Sequence, residues 1–242
     1  MEIANEPIMQ ITFPGCPPVI YANPNEVTKW RIETLFTKEP ETINWISGFQ
    51  KEEILIDIGA NVGMYTIWAA MASGATVYAF EPEAQNFMTL NKNIFYNNLS
   101  DRVTAYPLAI GELNWEFSTI GLSDYLLGGS GHQFGEKTKF NQGCLSVSLD
   151  TLMTKMQIEP NYIKIDVDGL EPDVINGAMK TLETIKMKSA LVELNTLDKK
   201  HMVIFDIMRD LYYKWDQNQI NKDIVKDGPF TGYVNAIFTH GS

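Results

Sequence analysis

Cysteine is scarce in this sequence: Cys16 and Cys144 are the two present among 242 residues, and no Cys-x-x-Cys occurs. Two reduced thiols in a cytoplasmic protein are the simple reading, and a bridge between them, joining the N-terminal segment to the middle of the chain, is the lesser one. Positive charge is short as well. Nineteen Lys and Arg face 30 Asp and Glu, for a formal net charge of −11. Phosphate backbones and anionic membrane surfaces need a basic footprint, so the balance argues against nucleic-acid and membrane partners. No apolar run nears the roughly 20 residues of a membrane span. Residues 1–10 have neither the basic residue nor the apolar core of a secretory leader. Internal repeats and low-complexity tracts are absent. What remains is an ordinary globular composition, 45% hydrophobic, that can build a core without disulfides or metals.

The periodicity divides the chain at about residue 50. In residues 1–50, Pro7, Pro14, Pro17, Pro18 and Pro24 block long helices, so an irregular N-terminal extension is expected. From Pro40 a helix begins that brings Ile43, Trp45, Ile46 and Phe49 near one face, as a capping helix. Residues 51–242 read as the main domain. Apolar runs at 54–58 and 76–80 are strands, 64–73 and 84–97 are helices, and 102–109 is a third strand. That alternation implies a parallel sheet with right-handed crossovers. Residues 111–149 form an insertion, with 115–120 and 143–148 paired antiparallel around a mobile loop at Gly128-Gly129-Ser130-Gly131. Alternation then resumes, with strands at 163–167, 190–194, 214–220 and 233–239 and helices at 171–182 and 199–213.

The first strand runs into Asp57-Ile58-Gly59-Ala60-Asn61-Val62-Gly63. Gly59 and Gly63 allow a sharp turn and close approach to a ligand, and the helix after them favours an anion at its N-terminus. The second strand ends in Phe80-Glu81-Pro82. An acidic residue about 20 positions past a glycine loop can accept both ribose hydroxyls. A dinucleotide loop has Gly-x-Gly-x-x-Gly; here the spacing is Gly-x-x-x-Gly behind Asp57. A carboxylate there repels a pyrophosphate and suits the ammonium of a methionine, directly or through water, so S-adenosylmethionine is favoured over NAD.

These runs, with Leu149-Asp150-Thr151-Leu152, Ile163 to Glu171 and Gly177-Ala178, resemble the FkbM-type methyltransferases over roughly residues 33–195. The family's Asp-Val-Glu-Gly stands here as Asp166-Val167-Asp168-Gly169, which keeps the charge at 168 and shortens its reach. The resemblance implies an α/β fold: a Rossmann-like seven-stranded methyltransferase sheet, mostly parallel with its last strand antiparallel, and helices on both faces. It also implies S-adenosylmethionine as donor, S-adenosylhomocysteine as product, and O-methylation of a hydroxyl on a sugar, polyketide or other small metabolite. Carried over by position, Asp57, Gly59, Asn61 and Gly63 surround the methionine end. Glu81 and Pro82 hold the ribose, and Ala109 and Ile110 lie by the adenine. The segment from Lys38 to Thr42 either closes over the cofactor or is a solvated helix end.

Lys164, Asp166 and Asp168 share one strand parity and are costly to bury unpaired. Asp166 is expected to orient or deprotonate the acceptor hydroxyl, with Lys164 paired to it or to Glu193. The alternative is a structural ion pair beneath the site. His132 is a second base candidate if the insertion closes as a lid, and otherwise a surface-loop residue. No ligand spacing demands a metal, although Asp166, Glu193 and Asn195 can supply hard oxygens to Mg²⁺. Residues 1–35 and 111–149 are expected to shape a pocket for a small-molecule acceptor such as a sugar. The competing functions are an NAD-dependent oxidoreductase and a non-catalytic cofactor-binding relative.

Overall fold

Five-residue apolar runs with no room for a helix become the centre of the main sheet. The computed structural model describes residues 6–122, 125–130, 132–135 and 138–241. It opens with strands β1 (Ile8–Phe13) and β2 (Cys16–Ala22), then helices α1 (Glu26–Glu33) and α2 (Pro40–Ser47). Next come β3 (Ile54–Ile58), α3 (Met64–Ala72), β4 (Thr76–Phe80), α4 (Ala84–Tyr96) and β5 (Val103–Tyr106). Four further strands form a separate sheet: β6 (Ala109–Ile110), β7 (Glu116–Leu122), β8 (Gln133–Phe134) and β9 (Phe140–Val147). The chain continues through α5 (Leu149–Met156), β10 (Tyr162–Ile165), α6 (Glu171–Asn176), α7 (Met179–Leu182) and β11 (Ser189–Asn195). It ends with α8 (Lys199–Asp210), β12 (Tyr213–Trp215), α9 (Gln217–Asp223) and β13 (Tyr233–His240).

The main sheet has seven strands in the order β12-β13-β11-β10-β3-β4-β5, and β13 is antiparallel to both neighbours. This is the seven-stranded arrangement that the resemblance implied. Alternate residues on the central strands feed two cores. Leu55, Val77 and Tyr162 join the cluster under α2, α3 and α4, while Ile56, Ile58 and Ile163 join the one under α5, α6 and α8. Strand parity therefore turns Asp57 and Lys164, which pair in register, toward the first of these faces. Among the described residues no helix is long and apolar enough to cross a membrane.

Several boundaries differ from the sequence reading. The N-terminal extension is not irregular, because proline forbids helix interiors but not an edge hairpin. The β2 backbone is held by amide side chains of α4: Asn93 Oδ1 accepts from Ala22 N at 2.7 Å and Asn97 Oδ1 from Ile20 N at 2.8 Å. α1 follows because Asn25 and Thr28 form a reciprocal cap. The expected 102–109 strand breaks at Pro107, and Ala109–Ile110 instead pairs parallel to β9 in the second sheet. The 171–182 helix divides at Gly177, where a Cβ would stand 2.0 Å from the Gly111 carbonyl oxygen. The expected strand over 214–220 ends at Trp215, because the Asp216 side chain caps α9. α8 stops at Asp210, short of 213, and Tyr212 takes a left-handed φ of 63°.

Within the insertion, β7 and β9 pair antiparallel as expected. Gly131 lies outside the described residues. The stretch before it is tied down by several side chains, among them Asn86 of α4, whose Oδ1 accepts the Gly128 amide at 2.8 Å. Arg31 Nε donates to Gly128 O at 2.8 Å, Asn61 Nδ2 to Gly129 O at 2.8 Å, and Asn25 Nδ2 to Leu127 O at 2.9 Å.

Candidate active site

The glycine loop leaves β3 where the strand order reverses, at the β3–β10 junction, which is where open α/β sheets bind ligands. Its shape is closed by internal hydrogen bonds. The amides of Gly59 and Ala60 donate to Phe80 O, that of Gly63 to Ala60 O, and that of Val62 to Asn61 Oδ1. The Asn61 amide donates to Glu81 Oε2 at 2.7 Å. Every amide from 59 to 63 therefore has a partner within the protein, and none is left for the pyrophosphate of a dinucleotide. Gly59 sits at φ 79°, and a Cβ there would meet the Asp166 carbonyl oxygen at 1.8 Å. The glycine is required by the neighbouring strand's backbone. At Gly63, φ 85°, the obstacle would be Leu90 Cδ1 at 2.4 Å.

A cleft of about 820 Å³ opens over the strand ends. Lys38, Gly59, Asn61, Glu81, Pro82, Ala109, Ile110, Asp166 and Asp168 all line it. Thr42, Asp57, Gly63 and Lys164 do not, and stand behind the wall. Asp57 is 1% exposed and accepts the Thr66 hydroxyl at the start of α3. The α3 packing that buries it removes it from direct contact with a methionine ammonium. Thr42 is wholly buried, its hydroxyl unpartnered.

Glu81 is nearly buried, and its second oxygen accepts the Glu83 amide at 2.8 Å. Burial, reinforced by the charges of Glu83 and Asp168, pushes its carboxyl up to about 8 against the two amide hydrogen bonds. If a ribose donates its two hydroxyls here, as the family resemblance implies, it selects the ionised form. Affinity for S-adenosylhomocysteine is therefore expected to rise with pH, by up to about tenfold per unit below 8, and to level off above it. Calorimetric titration between pH 6 and 9 checks this, and Glu81→Gln should bind weakly without the slope.

Asp166 is the pivot of the site. Its Oδ2 accepts from Lys164 Nζ at 2.8 Å, and the lysine side chain is 2% exposed. Burial pushes the Asp166 carboxyl up, but the Lys164 charge and hydrogen bond outweigh it and hold the group below the usual carboxylate range. The lysine takes the pairing with Asp166 rather than with Glu193. Its charge also lies close to Asp57 and above the Tyr65 ring, 5.4 Å from the centroid. Beside Asp166 a small recess is lined by Arg31, Lys38, Glu39, Met64 and Tyr65. Lys38 and Glu39 are ion-paired, and Glu39 Oε2 is buried without a partner.

The loop carrying Asp166 and Asp168 is held from below by Glu171, which is 1% exposed. Its Oε1 accepts the amides of Val167 at 3.0 Å and Gly169 at 3.3 Å. Its Oε2 lies 3.5 Å from His201 Nε2. His201 Nδ1 accepts the Asn195 amide at 3.1 Å, which leaves the ring proton on Nε2 facing the glutamate. Asp168 occupies φ 56° and Gly169 φ 106°, so this loop turns sharply enough to need such an anchor. Glu171 opens α6, as expected for an acid at a helix start, and does this second task as well.

His132 is not a surface residue: it lines the cleft, and both ring nitrogens are buried without a partner. It belongs to the insertion's wall with Ile120 and Phe134, which face each other across the β7–β8 pair. Trp30, Arg31, Glu39, Glu41, Asp223, Phe230, Tyr233 and Asn235 also line the cleft; the first two fall in the 1–35 segment and the next two in the 38–42 segment expected from sequence to take part, and the other four were not expected there. Cys16 and Cys144 are both free. Among the described residues no three His, Cys, Asp or Glu side chains come together as a metal site.

Comparison with known proteins places this geometry. Residues 57–215 match the methyltransferase FkbM domain. The chain is 26% identical over 170 residues to the hexuronic acid methyltransferase AglP of Haloferax volcanii, covering 69% of this chain and 66% of that protein. It is 26% identical over 198 residues to Methyltransferase 1 of Beauveria bassiana, covering 77% of this chain and 75% of that one. The crystal structure of a methyltransferase FkbM from Methylobacillus flagellatus superposes with a TM-score of 0.55 at 16% identity, over 89% of this chain and 55% of that one. The chain thus spans just under two thirds of the archaeal relative and little over half of the bacterial structure.

Proposed function

The chain belongs to the FkbM methyltransferase family, and from that premise we propose that it is an S-adenosylmethionine-dependent O-methyltransferase acting on a hydroxyl of a small, sugar-like acceptor. The observation that carries this is the position of Asp166, ionised by a buried lysine and lining the cleft just past the end of β10.

The residues present fit the donor. Glu81 offers its carboxylate to the ribose, and the apolar wall of Ala109, Ile110, Ile120 and Phe134 suits a purine. His132 can give that purine a polar contact. In the recess, Arg31 and Lys38 suit the methionine carboxylate, and the unpartnered Glu39 Oε2 suits its ammonium. When bound, S-adenosylmethionine supplies a methyl group already activated on a sulfonium, so the protein chiefly positions and desolvates. Asp166 accepts a hydrogen bond from the acceptor hydroxyl and aims its oxygen. Because its carboxyl is held low, Asp166 is a weak base, and it takes the proton late, once the oxygen has gained the methyl and become strongly acidic. Lys164 keeps Asp166 charged throughout, and Glu171 fixes the loop on which it sits. Helix α1 and residues 127–130 roof the cleft against water.

The printed substrate class of the archaeal relative supports a saccharide acceptor. The charge of −11 supports a small molecule over a nucleic acid, and the free thiols fit a cytoplasmic setting. Thermal shift tests the donor. S-adenosylhomocysteine at about 100 times its Kd should add about 2.7 kcal/mol of stability, and NADH none. Mass spectrometry of a monosaccharide panel incubated with S-adenosylmethionine should show a one-methyl gain on oxygen. Stabilisation by NADH alone would overturn the reading, as would donor binding without transfer to any acceptor.

A further inference from the structure

The half of the cleft beyond Asp166 is walled by groups that take no part in holding the donor. Glu41 of α2, Glu193 of β11, Asp223 at the end of α9 and Asn235 of β13 all line it. Glu193 and Asn235 stand opposite each other in the β11–β13 ladder, so their placement follows from the sheet's register. Asn235 is 5% exposed. Its Nδ2 donates to Glu41 Oε1 at 3.1 Å, which leaves Oδ1 buried and without a partner. Glu193 is half-buried. The wall therefore offers one buried, unfilled acceptor, Asn235 Oδ1, beside the carboxyl groups of Glu41 and Glu193. Two aromatic rings, Phe230 and Tyr233, line the same half and meet edge to face at 5.9 Å.

Resting on the methyltransferase reading, we propose that the acceptor bears a protonated amine, as an amino sugar does, and that Glu193 seats this amine while Asn235 Oδ1 and Glu41 take neighbouring N–H or O–H donors. The charge around this half favours a cation over a neutral polyol or a uronate. Four acids face it: Glu41, Asp168, Glu193 and Asp223. The cations that line the cleft are already engaged, Lys38 by Glu39 and Arg31 by the Gly128 carbonyl. Lys164 is behind the wall and taken by Asp166. Burial first, then the charges of Asp166 and Glu39, push the Glu193 carboxyl up to about 9. The Lys164 charge opposes this shift without cancelling it, and an incoming ammonium would add a second positive charge that favours the ionised carboxylate. An ammonium among carboxylates and aromatic rings also gains from the ring faces.

The test measures binding, by calorimetry or ligand-observed NMR, of glucosamine, glucose and glucuronate to the full chain saturated with S-adenosylhomocysteine. Glucosamine is expected to bind about tenfold more tightly than glucose, with glucuronate weakest, as one desolvated ion pair can provide. Glu193→Gln should abolish the preference while S-adenosylhomocysteine still binds and the melting curve stays cooperative. Equal or tighter binding of glucuronate overturns the proposal, as does a preference that survives in Glu193→Gln, or no binding of any of the three. Failure of S-adenosylhomocysteine to bind is a separate result, which overturns the donor reading and this inference with it.

Discussion

Asp166→Asn is expected to slow methyl transfer by about 10²- to 10⁴-fold, the range for losing a positioned acid–base group, with S-adenosylhomocysteine affinity little changed. The variant keeps the shape of the side chain and removes the charge proposed to accept the hydroxyl proton. It also takes the anion away from Lys164 Nζ, 2.8 Å distant and nearly sealed from water. Removing one member of a buried pair costs about 3–5 kcal/mol. The lower end is expected here, because Asp166 is 28% exposed and Asp57 remains beside the lysine. Steady-state kinetics separate the effects: a fall in kcat with KM nearly constant marks the chemical role. Unchanged turnover on a true acceptor would remove Asp166 from the mechanism. The pH dependence has a definite sign. The folded carboxyl is held below its ordinary 3.8, so the stability it contributes is present above that value and is lost as pH falls through the lower folded one. Asp166 thus adds no step to the activity profile near neutrality.

Gly59→Ala should have the largest effect on stability. A methyl group at this position would lie 1.8 Å from the Asp166 carbonyl oxygen and 2.8 Å from its carbon. Both obstacles are backbone, so no rotamer change relieves them. The left-handed φ adds about 1–2 kcal/mol and the overpacking about 1–3 kcal/mol. Together they lower the melting temperature by about 4–20 °C for a chain of this size. Gly143→Ala is the control, since a Cβ there meets nothing within 4 Å and its φ is not in the left-handed region; it should stay within about 0.5 kcal/mol. Equal melting temperatures for the two variants would show that the β3 loop can move away from β10.

The parts of the molecule that were legible in sequence are those set by local pattern. Runs such as 54–58 and 76–80 are too short for helices and too apolar for an exposed edge, so their place in the sheet follows. Glu81 was readable because its distance from the glycine loop is one βαβ unit. The fate of Asp57 was not readable. Its motif position suggested a ligand contact, and the packing of α3 over it decided otherwise. The N-terminal hairpin was missed because its stability comes from Asn93 and Asn97, far along the chain, which supply the hydrogen bonds a flanking strand would. Arg31, Glu193 and Asn235 carry no motif at all. Their meeting in one cleft is a product of sheet register and of where α1 settles.

The closed hydrogen-bond ring of residues 59–63 has a kinetic consequence. The loop holds its conformation with its own amides, so it does not wait for a ligand to order it. Its conformational entropy is lost when the chain folds, and little remains to be lost when the donor arrives. The roof over the cleft is built differently: residues 127–130 are held by the side chains of Asn25, Arg31, Asn61 and Asn86 and by no strand pairing. Entry and exit of ligands should therefore be timed by release of that roof, with the floor acting as a rigid template against which each turnover is aligned.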